Sequence, residues 1–319
     1  MIVVTKGKTM DKEVKERAFY TKKAVILMIA VIAMALWGSA FPAIKIGYKV
    51  FRITDGTPAD RFVFAGVRFL LAGLLVLIYN SAANRRFVLP QKSDMRGILL
   101  LSFVQTVLEY VFFYVSLANL SGVKGSIINS MGNFFAVILA ALAFKDDRMT
   151  VYKTIGCILG FAGVVICNLG GDINTGFTLT GDGFMLIAAF CFALGGVITK
   201  VYAKNTEPAL LTGSQLALGG IVLIVLGLAL GGRLGFYGLD CVLSMAYLAL
   251  LSAAAFTLWA KLIKYNPVGK ISLFGFLNPV FGVILSGIFL GEDFLDIKLV
   301  LALVCVSTGI YIVNYRKDG

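Results

Sequence analysis

VILAALAFKDD at residues 137–147 and VILSGIFLGED at 283–293 are two copies of one segment, 146 residues apart. The same offset pairs Gly163 with Gly309, Asn168 with Asn314, Gly73 with Gly219, and Val76-Leu77-Ile78 with Val222-Leu223-Ile224. Upstream of these, the first spans align once about nine extra residues are allowed in one loop, which sets Lys45 opposite Lys200. Shared hydrophobicity alone does not keep glycine, asparagine and acidic positions in step, so we read a true internal repeat.

What is repeated is a set of membrane spans. The 319 residues are 59% hydrophobic and 14% charged, with a mean hydropathy of +0.91, more apolar surface than a soluble core of this size hides. Ten stretches are long enough to cross a bilayer core, at about 24–45, 61–80, 97–118, 123–144, 151–169, 182–202, 208–230, 240–262, 269–290 and 297–314. The expected fold is an all-α integral membrane protein of ten transmembrane helices in a five-plus-five arrangement. Its parts are a basic leader over 1–22, a first half over 23–170 and a second half over 181–315. Because five is odd, the second copy enters the membrane from the opposite side, which makes the repeat inverted, the plan of many secondary transporters.

The net charge of +12 follows this topology. With the leader placed in the cytoplasm, twenty-one Lys and Arg fall on the inner side, seven on the outer side and Arg68 within span two. That bias fixes orientation and is no nucleic-acid footprint. The leader has no small-residue cleavage site and reads as a retained cytoplasmic arm, with the C-terminus also inside. The five cysteines lie in spans without metal-ligand spacing and read as packing residues.

The polar residues within the spans carry the functional reading. FVQTVLEYVFFY (103–114) places Glu109 about 18 Å along span three, near the midplane, with Gln105 one turn before it. A carboxylate at that depth costs about 2.5 to 3.5 kcal/mol to insert and so faces protein or water. The repeat sets Ala255 opposite Glu109 and Leu251 opposite Gln105, so the fold itself does not need polarity there. Three roles compete: an ion pair with Arg68 at similar depth, an anchor for a cationic substrate group, or a site that takes up and releases a proton.

Ser126, Asn129 and Asn133 share one face of span four, lining either a helix contact or an aqueous path. Trp37, Ser39 and Pro42 in span one, and Asn278-Pro279 in span nine, add polar or broken backbone at depth. Tyr110, Tyr114 and Trp259 offer aromatic faces suited to an ammonium group.

WGSAFPAIKIG (37–47), AGVRFLLAGLL (65–75) and LNPVFGVILSGIFLGED (277–293) resemble the EamA family of the drug/metabolite transporter superfamily. That resemblance covers nearly everything after the leader. It implies spans one, three, four, six, eight and nine around a central cavity, and movement of small polar metabolites, often amino acids or derivatives outward. The family's Leu-Gly-Glu signature stands at Leu290-Gly291-Glu292, but the first copy has Phe144-Lys145-Asp146.

An enzyme is disfavoured: there is no histidine, nucleophile elbow or phosphate loop, and no cofactor is expected. The expectation is a secondary active transporter of the cytoplasmic membrane working by alternating access. Its partners are a small-molecule substrate and the bilayer, with protons as a further candidate, and it is equally compatible with a monomer and a homodimer. Export of an amino acid or related zwitterion leads; proton-coupled import of a cationic amine such as choline is the alternative.

Overall fold

The computed structural model describes residues 13–54, 56–117, 119–120, 125, 128–167, 169, 177–290 and 297–315. Among them every regular element is helical. A short leader helix over 13–20 precedes α1 (Lys23–Val50) and α2 (Pro58–Ala83). The third helix, α3, runs as Lys92–Leu101, a π-helical stretch Ser102–Leu108 and Glu109–Leu117. It is followed by α4 (Met131–Ala143), α5 (Val151–Cys167) and α6, the last formed by a π turn Leu179–Gly183 and Phe184–Tyr202. Next come α7 (Pro208–Ala229) and α8 (Leu239–Tyr265). The ninth, α9, is Val268–Ser272, a 3-10 turn Leu273–Phe276 and Leu277–Leu290; α10 is Ile297–Tyr315. Seven of these are long and apolar enough to span a bilayer, and α4, α5 and α10 are shorter apolar helices.

Local chemistry explains the helix ends and breaks. Thr57 and Asp60 cap α2 reciprocally, and Asp60 Oδ1 also accepts the Arg233 N–H at 2.7 Å, tying the α2 start to the α7–α8 loop. At the opposite end of the bundle, Asp94 caps α3 through the Gln91 N–H and accepts the Thr206 hydroxyl at 2.6 Å. Pro42 sits inside α1, where its missing N–H releases the carbonyl of Gly38; a Cβ at Gly38 would lie 2.5 Å from Cβ of Phe281 in α9. Pro279 likewise follows the 3-10 turn of α9.

The ten helices obey a pseudo-two-fold relation. α2 packs on its repeat partner α7, and α5 on its partner α10. Glycines allow the close approach: a Cβ at Gly66 would lie 2.7 Å from the Gly220 carbonyl, and one at Gly309 would lie 2.9 Å from the Gly156 carbonyl. α1 packs against α8 and α9 as α6 packs against α3 and α4, and α8 leans on α2 as α3 leans on α7. The six helices α1, α3, α4, α6, α8 and α9 thus form the inner group, as the inverted repeat requires. The end carrying the leader helix is called the leader face below, and the opposite end the far face.

Candidate functional site

Glu109 begins the last segment of α3, directly after the π-helical stretch. Only 8% of it is exposed, and Oε2 is buried with no hydrogen-bond partner. A π turn displaces the residues after it around the helix axis, and such turns recur at functional sites. Here the insertion coincides with the polar run Ser102, Gln105 and Thr106. Their sequence counterparts in α8 belong to an uninterrupted α-helix.

Of the three competing roles, the ion pair with Arg68 is not formed: among the described residues no salt bridge to the Glu109 carboxylate is present. Arg68, 2% exposed, instead donates from Nε to the Ser252 hydroxyl at 2.8 Å and sets its guanidinium 5.1 Å from the Phe69 ring centre. Ser252 in turn donates to the Leu248 carbonyl. Depth placed the two charges level, but α8 supplies an acceptor close to Arg68.

Aromatic residues pack between the inner helices. Trp37 meets Phe256, Trp259 and Phe192 edge-on at 5.2, 5.5 and 5.8 Å, joining α1, α8 and α6. Tyr110 lies 4.4 Å from Phe69 and 6.0 Å from Tyr114. The Tyr114 and Tyr48 hydroxyls are buried without a hydrogen bond of good geometry. Where the resemblance implied a central cavity, these rings fill the space between the inner helices. Beside them a small cavity of about 10 Å³ is bounded by Gln105, Thr199, Thr212, Gln215 and Trp259.

The remaining candidates divide. Asn133 is buried against Gly275 of α9, where a Cβ would overlap its amide; Asn129 is half-buried. Asn278 has a buried Oδ1 without a partner. Ser39 is engaged within the protein, donating to the Leu36 carbonyl at 2.7 Å and accepting from Tyr247 at 2.8 Å. Ser126 and Gly291-Glu292 lie outside the described residues.

Three features escaped the sequence reading. Gln215 of α7 accepts the Thr106 hydroxyl on Oε1 at 2.6 Å, while its carbonyl accepts Ser102 at 3.1 Å. At the leader face Asp147 and Lys153 form a buried ion pair at 2.5 Å, and Asp147 Oδ2 also accepts the Gly269 N–H at 2.8 Å, pinning the start of α9. The leader helix closes on the same region: Tyr20 stacks on Tyr265 at 5.5 Å, Tyr265 donates to Glu16 at 2.8 Å, and Asn266 donates to the Tyr20 carbonyl. Between these parts opens a vestibule of about 650 Å³ that includes Arg17, Asp146, Lys200 and Lys204. A basic residue two places into a span was the available signal for Lys153; nothing local marked its partner.

The sequence profile of the EamA-like transporter family matches residues 24–169 and 179–315. A chloroplastic WAT1-related protein of Arabidopsis thaliana is 27% identical over 294 residues, covering 89% of this chain and 68% of that protein. An uncharacterized transporter of Synechocystis is 27% identical, covering 89% of this chain and 88% of its own length. The uncharacterized transporter YvbV of Bacillus subtilis is 26% identical, with 94% and 93% covered. A solved crystal structure superposes with a TM-score of 0.75 over 90% of this chain and 97% of the other at 18% identity, a likeness of fold.

Proposed function

Because the chain belongs to the EamA-like transporter family, we propose that it is a secondary active transporter that moves a small polar metabolite, an amino acid or related zwitterion or amine, out of the cell. In this reading it lies in the cytoplasmic membrane with both termini inside, and the two halves rock around a midplane site in alternating access. No bond is made or broken; transport draws on substrate or ion gradients. The observation that carries the reading is the buried Glu109 carboxylate, whose Oε2 has no hydrogen-bond partner among the described residues, in an inverted repeat whose other half has Ala255 there. A buried charge without a protein partner is costly, and a cationic group of the cargo or a proton would relieve it.

The second reading, proton-coupled import of a cationic amine such as choline, is favoured by the Trp37, Phe256 and Trp259 rings packed between α1 and α8, in the same inner group of helices that carries Glu109 on α3, since aromatic faces and a carboxylate are the elements of a quaternary ammonium site.

The test is a thermal-shift screen of purified wild type and Glu109→Gln against amino acids, polyamines, choline-like amines, nucleobases and sugars. The expected result is stabilisation of wild type by a zwitterion or amine, rising with concentration as mass action requires, and its loss in Glu109→Gln. Stabilisation of both proteins alike by neutral metabolites alone would overturn Glu109 as the anchor.

A further inference from the structure

At the leader face α8 and α9 are joined by Asn266-Pro267 alone, and three separate elements hold this corner. From α6, the Lys200 ammonium donates to the Lys264 carbonyl at 3.1 Å and the Asn266 carbonyl at 2.8 Å. Carbonyls at a helix C-terminus lack donors from their own helix and carry the negative end of its dipole, so a cation suits them. From the α4–α5 loop, Asp147 accepts the Gly269 N–H. The third element is the leader helix.

Glu13, Glu16 and Tyr20 recur at i, i+3 and i+7, which is one face of a helix, and that face lies on the end of α8. Tyr20 stacks on Tyr265 with ring centres 5.5 Å apart and planes 7° from parallel, and its ring centre is 5.7 Å from the Lys261 ammonium. The Tyr265 hydroxyl donates to Glu16 at 2.8 Å, and the Lys264 ammonium lies 3.7 Å from the Glu13 carboxylate. The buried Asn266 side chain donates to the Tyr20 carbonyl at 3.0 Å. Only Thr21 and Lys22 separate Tyr20 from α1, and their N–H groups bond back to Arg17 and Phe19 in a tight turn. The leader helix is therefore a short tether from α1, in the first half, to the α8–α9 corner, in the second.

The same tether borders the vestibule, whose wall is formed by Val14 and Arg17 of the leader, Phe144 and Asp146 after α4, and Lys200 and Lys204 at the end of α6, together with the corner itself. A space walled by both halves changes shape when they move against each other, and a tether on its rim resists that motion. Glu13 and Arg17 are open to water, whereas Asp147 and Lys153 are buried, so the tether is the grip on the corner that yields first.

We propose that the leader helix is a strap on the leader face: its grip on the α8–α9 corner holds the vestibule at its present width, and release of that grip is a step in opening this face. The positive charge of the leader orients the chain, while two glutamates and a tyrosine on one side of it give it this second task. The strap takes from the proposed function only that the leader face opens; it depends on neither the cargo nor Glu109.

The test reads opening directly, on the full chain in lipid nanodiscs. Phe144→Cys places a thiol at a half-buried position in the vestibule wall, and its rate of reaction with N-ethylmaleimide is followed by peptide mass spectrometry. Adding Tyr20→Ala should raise that rate several-fold over the Phe144→Cys chain alone. Tyr265→Phe, which removes the hydrogen bond to Glu16 and keeps the ring stack, should raise it less. Cys241, 1% exposed at the far-face end of α8, reports on the bundle as a whole and should stay unlabelled throughout. An unchanged rate in Tyr20→Ala would overturn the strap. A lower rate would do so too, since the leader would then prop the vestibule open, and so would labelling of Cys241 in step with position 144, since the leader would then hold the whole bundle. A chain that shows the rise but binds no ligand in the screen keeps the strap and loses its assigned cargo, while ligand binding with an unchanged rate does the reverse.

Discussion

Thr106 on α3 and Ser252 on α8 occupy the same place in the two halves, and each hydroxyl holds a polar group from the neighbouring helix that the repeat pairs with it. Thr106 donates to the Gln215 amide of α7 at 2.6 Å; Ser252 accepts from the Arg68 guanidinium of α2 at 2.8 Å. The hydroxyl is common to both halves and its partner is not: one side has a neutral amide, the other a buried cation. One turn away the divergence is complete, with Glu109 facing Ala255 across the repeat. The comparison teaches that the inverted repeat fixes helix positions and contact points, while the buried charges of Arg68 and Glu109 are placed singly, in one half each.

The strongest way to sharpen that contrast is at the leader face, where Lys153 pairs with Asp147 and the 146-residue offset sets Leu299 opposite Lys153. Asp147→Ala should leave Lys153 buried and unpaired and release the start of α9, costing about 3–5 kcal/mol, read as a lowered thermal midpoint in detergent. A loss below about 1 kcal/mol would mean that Lys153 escapes to solvent and that the pair does not hold the two halves together.

The hydroxyl pair comes next, and it tests the comparison directly. Ser252→Ala removes the acceptor of a charged donor and should cost about 1.5–3 kcal/mol, because hydrogen bonds to charged groups are the stronger class. Thr106→Val, which keeps the shape and leaves a neutral amide without its donor, should cost about 0.5–1.5 kcal/mol. Equal losses in the two variants would break the distinction drawn between the halves.

Much of this architecture was legible in the sequence for a simple reason. In lipid every backbone group must be satisfied within its own helix, so span length and hydropathy leave little freedom, and the described helix ends fall close to the expected spans, apart from the start of span four, which falls among residues outside the described ones. The glycines that aligned the repeat turn out to lie at the α2/α7 and α5/α10 contacts, because close helix approach admits few other residues. The candidate site was legible in part. A carboxylate at depth marks itself by its cost, which singled out Glu109, and its helical neighbours Gln105, Tyr110 and Tyr114 follow from periodicity. Partner choice was not legible: depth put Arg68 level with Glu109, but which side chain it meets depends on helix rotation, and α8 offered Ser252. The π turn escaped as well, since its residues carry no local signature, and so did Asp147 and Gly269, which are joined across the two halves.

The smallest expected effect is also the one that separates Glu109 from Arg68. If the two formed a structural pair, Arg68→Met would destabilise the protein and adding Glu109→Gln would restore it, giving a coupling energy well above 1 kcal/mol in a double-mutant cycle. With Arg68 held by Ser252 and Glu109 forming no salt bridge with Arg68, the two substitutions should be additive within about 0.5 kcal/mol. Glu109→Gln alone should not lower the thermal midpoint, because an amide fits the same space and carries no charge to bury. Near-additivity would leave the carboxylate's cost uncompensated inside the folded chain, and the group that offsets it would then have to come from outside. Strong coupling would return Glu109 to the scaffold, together with the ligand and proton roles assigned to it.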